Sequence, residues 1–375
     1  MTLVLLVRPC HMISEQSDWI MRKFLGVSTH FVAAAVIALQ SAWFAPVYAA
    51  DTAPTVIRLA APDNGLGGKE HFNGGVADVL VWRHLLEEEF KRDGINVEWH
   101  FFKAAGPAIN EAFANKQIDF AFYGDLPAII GQANGLQIKL LAATGRQGAA
   151  YLGVRSGVEV KSLQDLKGKT IAVFRGTIFH LSLVNALASV GMSERDLRIV
   201  NMDLAASTAA LSTGRVDAVW GSSNLYELED KGLAHVAFST SDLGGVGAIQ
   251  SVLVGSDAFV NSYPQITRRL LRVFLGGYDW MSEHSNRQIY LSEAARRSGF
   301  TQRQVDRMLG QVSFAETMKP DLDDSFIESL DKQVSLAKEM RLIRRSFSAV
   351  EWADQKTQQE TKVLPRDDIV KAITQ

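Results

Sequence analysis

Two periods of apolar and polar positions alternate along this chain. Short apolar runs closed by glycine or another turn residue read as buried strands, and between them stretches with apolar residues three and four apart read as helices. The clearest unit is Gln117 to Gly135. Ile118 to Tyr123 is too short for a helix and is rich in aromatic and apolar residues, so it predicts a strand. Gly124 and Asp125 close it. Pro127 suits a first helical turn, where its missing N–H would have had no partner, and Asp125 suits the N-cap; a helix to Gly135 follows. The same strand, glycine turn and helix pattern recurs with Thr170 to Phe174, Arg175-Gly176-Thr177 and a helix from Phe179. It appears again where Val216-Asp217-Ala218-Val219 runs into Gly221-Ser222-Ser223.

The repetition carries the domain expectation. Ile118-Asp119-Phe120-Ala121 before Gly124 and Val216-Asp217-Ala218-Val219 before Gly221 each follow a small-residue helix. Two similar α/β lobes would then face each other across a cleft: lobe I from residues 51–146 and 248–375, lobe II from 147–247. Val56 to Ala61 predicts the first strand and Val76 to Asp93 a single long helix with Leu80, Leu86 and Phe90 inward. The chain after Pro264 reads as mostly helical.

Residues 1–50 have a different pattern. Arg22-Lys23, the apolar run Phe31 to Leu39 and Val47-Tyr48-Ala49 form the three parts of a secretion signal, with cleavage expected near Ala49 and a periplasmic mature protein. The acidic break from Glu15 to Asp18 does not belong in such a leader, which makes Met21 the better start. Of the 375 residues the single cysteine is Cys10, upstream of that start, so no disulfide and no lipid-accepting cysteine is expected. No later run is long and apolar enough for a membrane span. The formal charge is −2, with no basic stripe, which argues against nucleic acid as a partner.

Candidate chemistry lies at the strand ends. A strand ending at a glycine turn before a helix aims backbone N–H groups at one point, at the positive end of the helix dipole. Gly124, Asp125, Thr177, Ser222 and Ser223 are the donors expected to meet in the cleft, with Tyr123 or Trp220 to cover an apolar tail. Asp125 fits an anion site only as a cap turned away; facing the cleft, it would suit a zwitterion or cation. His180 fits a ligand contact or a packing role equally well. In the loop after Pro62, Gly65 and Gly67 permit close approach of backbone to a ligand, or simply a tight turn. Gly67-Gly68-Lys69 is no phosphate loop, because Glu70 stands where a Ser or Thr is needed. No Gly-x-Ser-x-Gly elbow and no His-Glu-x-x-His pair occurs, and no catalytic residue, metal site or cofactor is expected.

Taken together, these blocks resemble the substrate-binding proteins of ABC importers in the nitrate, taurine and aliphatic sulfonate family. The resemblance runs from about Val56 to Ala258 and is carried by Tyr123-Gly124-Asp125-Leu126-Pro127, by Ser162 to Val173 (Ser-Leu-Gln-Asp-Leu-Lys-Gly-Lys-Thr-Ile-Ala-Val), by Thr177 with His180, by Gly191-Met192 and by Ala210 to Ala218. It implies a type II periplasmic-binding-protein fold, two α/β lobes joined by two crossover segments with a helical C-terminal region. It also implies a monomer without catalysis, which captures a small anionic solute and docks transiently on an ABC permease with its ATPase. The Gly-Asp-x-Pro loop is most similar to the aliphatic sulfonate branch. Departures are the long loop from Asp63 to Gly75, Ser222-Ser223-Asn224 after Trp220, and the glycine-rich Thr240 to Gly247. The alternatives are a receptor for nitrate or a thiamine pyrimidine precursor, or an enzyme on this fold.

Overall fold

The computed structural model describes residues 53–64, 71–103, 105–309 and 312–374. The secretion signal, the alternative start Met21, Cys10, Gly65 and Gly67 lie outside the described residues. Ala53–Gln375 is one compact unit. Among the described residues its ten strands are β1 (Val56–Pro62), β2 (Asn96–Phe102), β3 (Phe120–Gly124), β4 (Ile138–Gly148), β5 (Tyr151–Arg155), β6 (Thr170–Val173), β7 (Arg198–Asn201), β8 (Ala218–Gly221), β9 (Ala234–Ser239) and β10 (Ile249–Ser256). They form two five-stranded sheets, in the orders β2-β1-β3-β10-β4 and β7-β6-β8-β5-β9.

The sheets repeat one plan. In the first, β1 pairs in parallel with β2 and β3, while β10 runs antiparallel to β3 and β4. In the second, β6 is parallel to β7 and β8, while β5 runs antiparallel to β8 and β9. The chain crosses between sheets twice, from Gly148 to Tyr151 and from Ser239 to Ile249.

Strand alternation puts opposite faces into opposite cores. Leu59, Phe120 and Phe122 enter one cluster of the first lobe, with Leu270, Leu271 and Phe274 from the helix Pro264–Ser282. Ala60, Ala121 and Tyr123 enter the other, with Phe326 and Leu330 from the helix Asp324–Glu339. In the second lobe Ile171, Val173 and Trp220 face one side, and Ala172 and Val219 the other.

The repeated Asp has a structural meaning. Asp119 accepts the backbone N–H of Arg58 on β1 at 2.9 Å and its guanidinium at 2.8 and 3.0 Å. Asp217 accepts the N–H of Thr170 on β6 at 2.9 Å and the guanidinium of Arg155 at 3.1 and 3.2 Å. Each carboxylate thereby fixes the entry of the inner strand of its own sheet.

Two details differ from the sequence expectation. The helix expected over Val76 to Asp93 is two helices, Val76–Trp82 and Leu85–Lys91, separated at His84, whose φ is +52°. The break lets Trp82 stack on Tyr290 at 5.8 Å and Arg83 pair with Glu293 at 2.8 Å, both on the helix Arg287–Ser298, while Leu85, Leu86 and Phe90 still reach the core. The N-cap of the helix Asp125–Ala133 is Gly124 rather than Asp125.

The lobes are also joined by packing. Leu126 and Ile129 of the first lobe, Leu181 of the second, and Val334 and Ala337 of the helix Asp324–Glu339 share one buried cluster. The second crossing is pinned to the second lobe: Trp220 Nε1 donates to Ser182 Oγ at 3.0 Å, and Ser182 Oγ donates to Gly247 O at 2.5 Å. Gly247 has φ +77°, and a Cβ there would stand 2.7 Å from Ser182 O, so glycine is required. No helix among the described residues is long and apolar enough to cross a membrane.

Candidate functional site

The cleft between the sheets encloses a cavity of about 270 Å³ lined by both lobes. One corner of it is built by two helix starts. β3 ends at Gly124, whose extended backbone (φ −69°, ψ 157°) turns directly into the helix Asp125–Ala133. From the other lobe, β6 runs through Phe174 to Thr177, the N-cap of the helix Ile178–Ser189. In the first turns Leu126 donates to Asp125 Oδ1 at 2.6 Å, Pro127 has no N–H and His180 donates to Thr177 O at 3.0 Å, which leaves the N–H groups of Asp125, Ile178 and Phe179 at the positive ends of the two helices. The two starts touch: a Cβ on Gly124 would lie 1.8 Å from Ile178 Cγ2. Pro107 Cγ of the first lobe likewise stands 3.4 Å from the Cβ position of Gly176.

A short network holds the second start in shape. Thr177 Oγ1 donates to Phe174 O at 2.7 Å, which directs the hydroxyl into the turn rather than the cleft. Gly176, at φ +75°, donates its N–H to His180 Nδ1 at 3.3 Å. His180 Nε2 meets Glu194 Oε1 at 3.2 Å, and Arg175 reaches the same oxygen at 2.9 Å. His180, followed by Arg175, holds the Glu194 carboxyl below the usual range in spite of burial. A third strand end supplies Ser222 and Ser223. Ser222 Oγ donates to Asn224 Oδ1 at 2.7 Å, and Asn224 Nδ2 donates to Thr208 Oγ1 at 2.8 Å.

Tyr123, Gly124, Thr177, Ser222 and Ser223 therefore border one cleft. Three residues proposed from the sequence do not line it. Trp220 points into the second lobe's core on the face shared with Ile171 and Val173. His180 is buried beneath the turn it braces. Asp125 is buried and turned from the cleft, with Oδ1 accepting the Leu126 N–H at 2.6 Å. Burial pushes its pKa up to about 7, an effect the Leu126 N–H, Gln333 and the backbone of Gln250 offset only in part. Tyr123 borders the cleft, but its ring belongs to the core and its hydroxyl donates to Asn110 Oδ1 at 3.2 Å, so it does not cover a ligand tail.

Charge on the lining is largely neutralised. Asp63 Oδ2 meets His71 Nδ1 at 3.0 Å. Arg146 donates to Lys319 O at 2.9 Å and Asp323 Oδ1 at 3.1 Å, and also to Asp321 O, with its guanidinium 4.6 Å from the Phe326 ring centre. Lys103 is exposed at the rim. No group of metal-ligating side chains occurs among the described residues. Sequence reasoning missed a whole wall of the cleft, formed by Phe72, by Met308 and Leu309 at the end of the helix Gln302–Leu309, and by Phe300, Val312 and Met318 in the connections around it.

A family model described as NMT1/THI5 like matches residues 90–287. The chain belongs to the NMT1/THI5-like family. This family member is similar to a Bacillus subtilis (strain 168) protein described as an aliphatic sulfonates-binding protein, at 31% identity over 204 residues. That match covers 53% of this chain and 60% of the Bacillus protein, so the chain spans less than two thirds of that relative's length. Among solved structures it is similar to the periplasmic sulfonate-binding protein SsuA of a sulfonate ABC transporter from Methylobacillus flagellatus KT. Identity there is 30% and the TM-score 0.70, covering 82% of this chain and 94% of that one. The architecture is that of a type II periplasmic binding protein. The desulfurization enzyme DSZB shares the fold alone, at 16% identity and a TM-score of 0.61, covering 81% of this chain and 99% of that one.

Proposed function

We propose that this chain is the solute-binding component of an ABC importer and that it binds an organic sulfonate in the cleft, head group first. The observation that carries the reading is the meeting of two helix N-termini from opposite lobes at Gly124 and Ile178, beside Thr177 and Ser222. A sulfonate has three acceptor oxygens and no proton at ordinary pH. Backbone N–H groups at helix starts satisfy such oxygens without a full cation, so the ligand is held and still released. Affinity near 1 μM corresponds to about −8 kcal/mol, within reach of several neutral donors and a buried tail. Closure of the lobes by a hinge at the two crossings would complete the shell. Delivery to a permease and its ATPase, a monomeric state, and export with cleavage near Ala49 belong to the same reading.

Nitrate is a weaker candidate, because a planar anion without a tail leaves the apolar wall uncovered. Because the fold is shared with a desulfurization enzyme, turnover is the second reading. Against it stands the lining itself, which among the described residues holds neither His nor Cys, and whose charged side chains are Asp63 and Arg146, both engaged by neighbours, and Lys103 at the rim. Titration of the mature protein with ethanesulfonate, benzenesulfonate, nitrate and sulfate, read by thermal shift and calorimetry, tests the assignment. Stabilisation should grow with ethanesulfonate concentration and exceed that from the inorganic anions. Ethanesulfonate recovered unchanged by mass spectrometry supports a receptor; its conversion would establish an enzyme, and no shift with either ethanesulfonate or benzenesulfonate would overturn the assignment.

A further inference from the structure

The cleft has two unlike walls. Gly124, Thr177 and Ser222 lie within residues 90–287 that match the family model. The facing wall of Phe72, Phe300, Met308, Leu309, Val312 and Met318 lies wholly outside that span. All six belong to the main core cluster of the first lobe or pack against it. Phe72 and Phe300 meet edge to face with ring centres 6.0 Å apart, and both are almost fully buried. Met318 Sδ stands 3.5 Å from the Cβ position of Gly75, at the start of the helix Val76–Trp82. Met308 and Leu309, half-buried, end the helix Gln302–Leu309.

The chemistry of this wall selects a tail. None of the six residues carries a charge or a hydrogen-bonding side chain. The carboxylate on the cleft lining, Asp63, is engaged by His71 and by the Phe72 N–H at 3.4 Å. An ammonium group against the wall would lose its hydration with no partner to replace it. An aromatic ring would gain apolar burial, edge-to-face contact with phenylalanine and contact with thioether sulfur.

We infer that the wall contributed by Phe72 and by residues 300–318 makes this cleft selective for sulfonates with an uncharged aryl tail, with Met308, Leu309 and Met318 as the specificity-determining side chains. This rests on the sulfonate reading above, which supplies the head-group site.

The test is calorimetric titration of the mature protein with ethanesulfonate, taurine and benzenesulfonate. Benzenesulfonate should bind tightest and taurine weakest, with at least about a tenfold gap between them. Leu309→Glu would place a carboxylate on the wall and should close that gap about tenfold or more, in favour of taurine. Met308→Gln, a milder change, should weaken benzenesulfonate while sparing ethanesulfonate. Benzenesulfonate binding no tighter than ethanesulfonate, or taurine binding tightest, overturns the inference and leaves the sulfonate receptor standing. Failure of all three to bind overturns the receptor reading as well.

Discussion

Gly124 and Ile178 face each other across the cleft with no room for a side chain on the glycine, since a Cβ there would come within 1.8 Å of Ile178 Cγ2. The backbone at Gly124 is extended and open to any residue, so the glycine is needed for the approach of the lobes and not for its own conformation. Gly124→Ala should fold normally and fail to close. Overpacking of this kind costs about 1–3 kcal/mol, or roughly 5- to 150-fold in ligand affinity. Small-angle scattering should show the variant staying expanded when ligand is added, and the double change Gly124→Ala with Ile178→Ala should restore closure. Wild-type affinity in Gly124→Ala would mean that this contact has no part in binding.

Arg307 also bridges the lobes. Its guanidinium lies 3.1 Å from both Glu229 and Asp230 of the second lobe and 4.9 Å from the ring centre of Tyr226. These groups are about a third exposed, so solvent limits the ion pairs to about 0–1 kcal/mol and the ring contact to about 0.5–1 kcal/mol. Arg307→Ala should therefore speed ligand release by roughly two- to tenfold at low salt, and the difference should shrink in molar salt. Stopped-flow displacement at two ionic strengths measures it. A release rate unchanged at low salt would show that the clasp does not hold the closed form.

The sequence was most informative where one residue type fixes a backbone. The Asp before each central strand, Asp119 and Asp217, was visible as a repeat because a carboxylate there has one local task, to bind the neighbouring strand's entry. The glycine corners at Gly124 and Gly176 were legible for the same reason. Trp220 was misplaced because an aromatic at a strand end fits a cleft or a core equally well; only the alternation of β8, which puts it on the Ile171 and Val173 face, separates the two. The break at His84 was hidden by an apolar period that continues unbroken through it. Phe300, Met308 and Met318 carried no signal, since contacts this distant along the chain leave no mark in local pattern.

Removing either repeated carboxylate should destabilise the protein unequally. Asp119 is nearly buried, with a side-chain exposure of 8% against 28% for Asp217. Asp119→Ala strands the Arg58 N–H and guanidinium and should cost about 1–3 kcal/mol. Asp217→Ala should cost less, because water reaches Arg155 and Thr170. Urea denaturation of the two variants checks the order, and equal losses would show that burial does not set the difference.

Stability should fall as pH rises from about 4 to about 7, and Asp125 should account for part of that slope. Burial pushes Asp125 up to about 7. Burial likewise raises Asp78 to about 6, against the N–H groups of Asn73, Gly74 and Gly75 and the Tyr290 hydroxyl that bind it. In the unfolded chain both ionise near 4. Between those values the folded form holds more protons than the unfolded one, so raising the pH costs stability, by up to about 1.4 kcal/mol per pH unit for each group. Asp217, Asp323 and Asp368 are held below the ordinary range, and what they contribute is lost as pH falls below about 4. Maximum stability is therefore expected near pH 4–5. Asn mimics the protonated form of Asp125, so Asp125→Asn should melt close to wild type at about pH 4.5 and clearly above it at about pH 8. A melting difference that is the same at both pH values would show that Asp125 is not the group titrating.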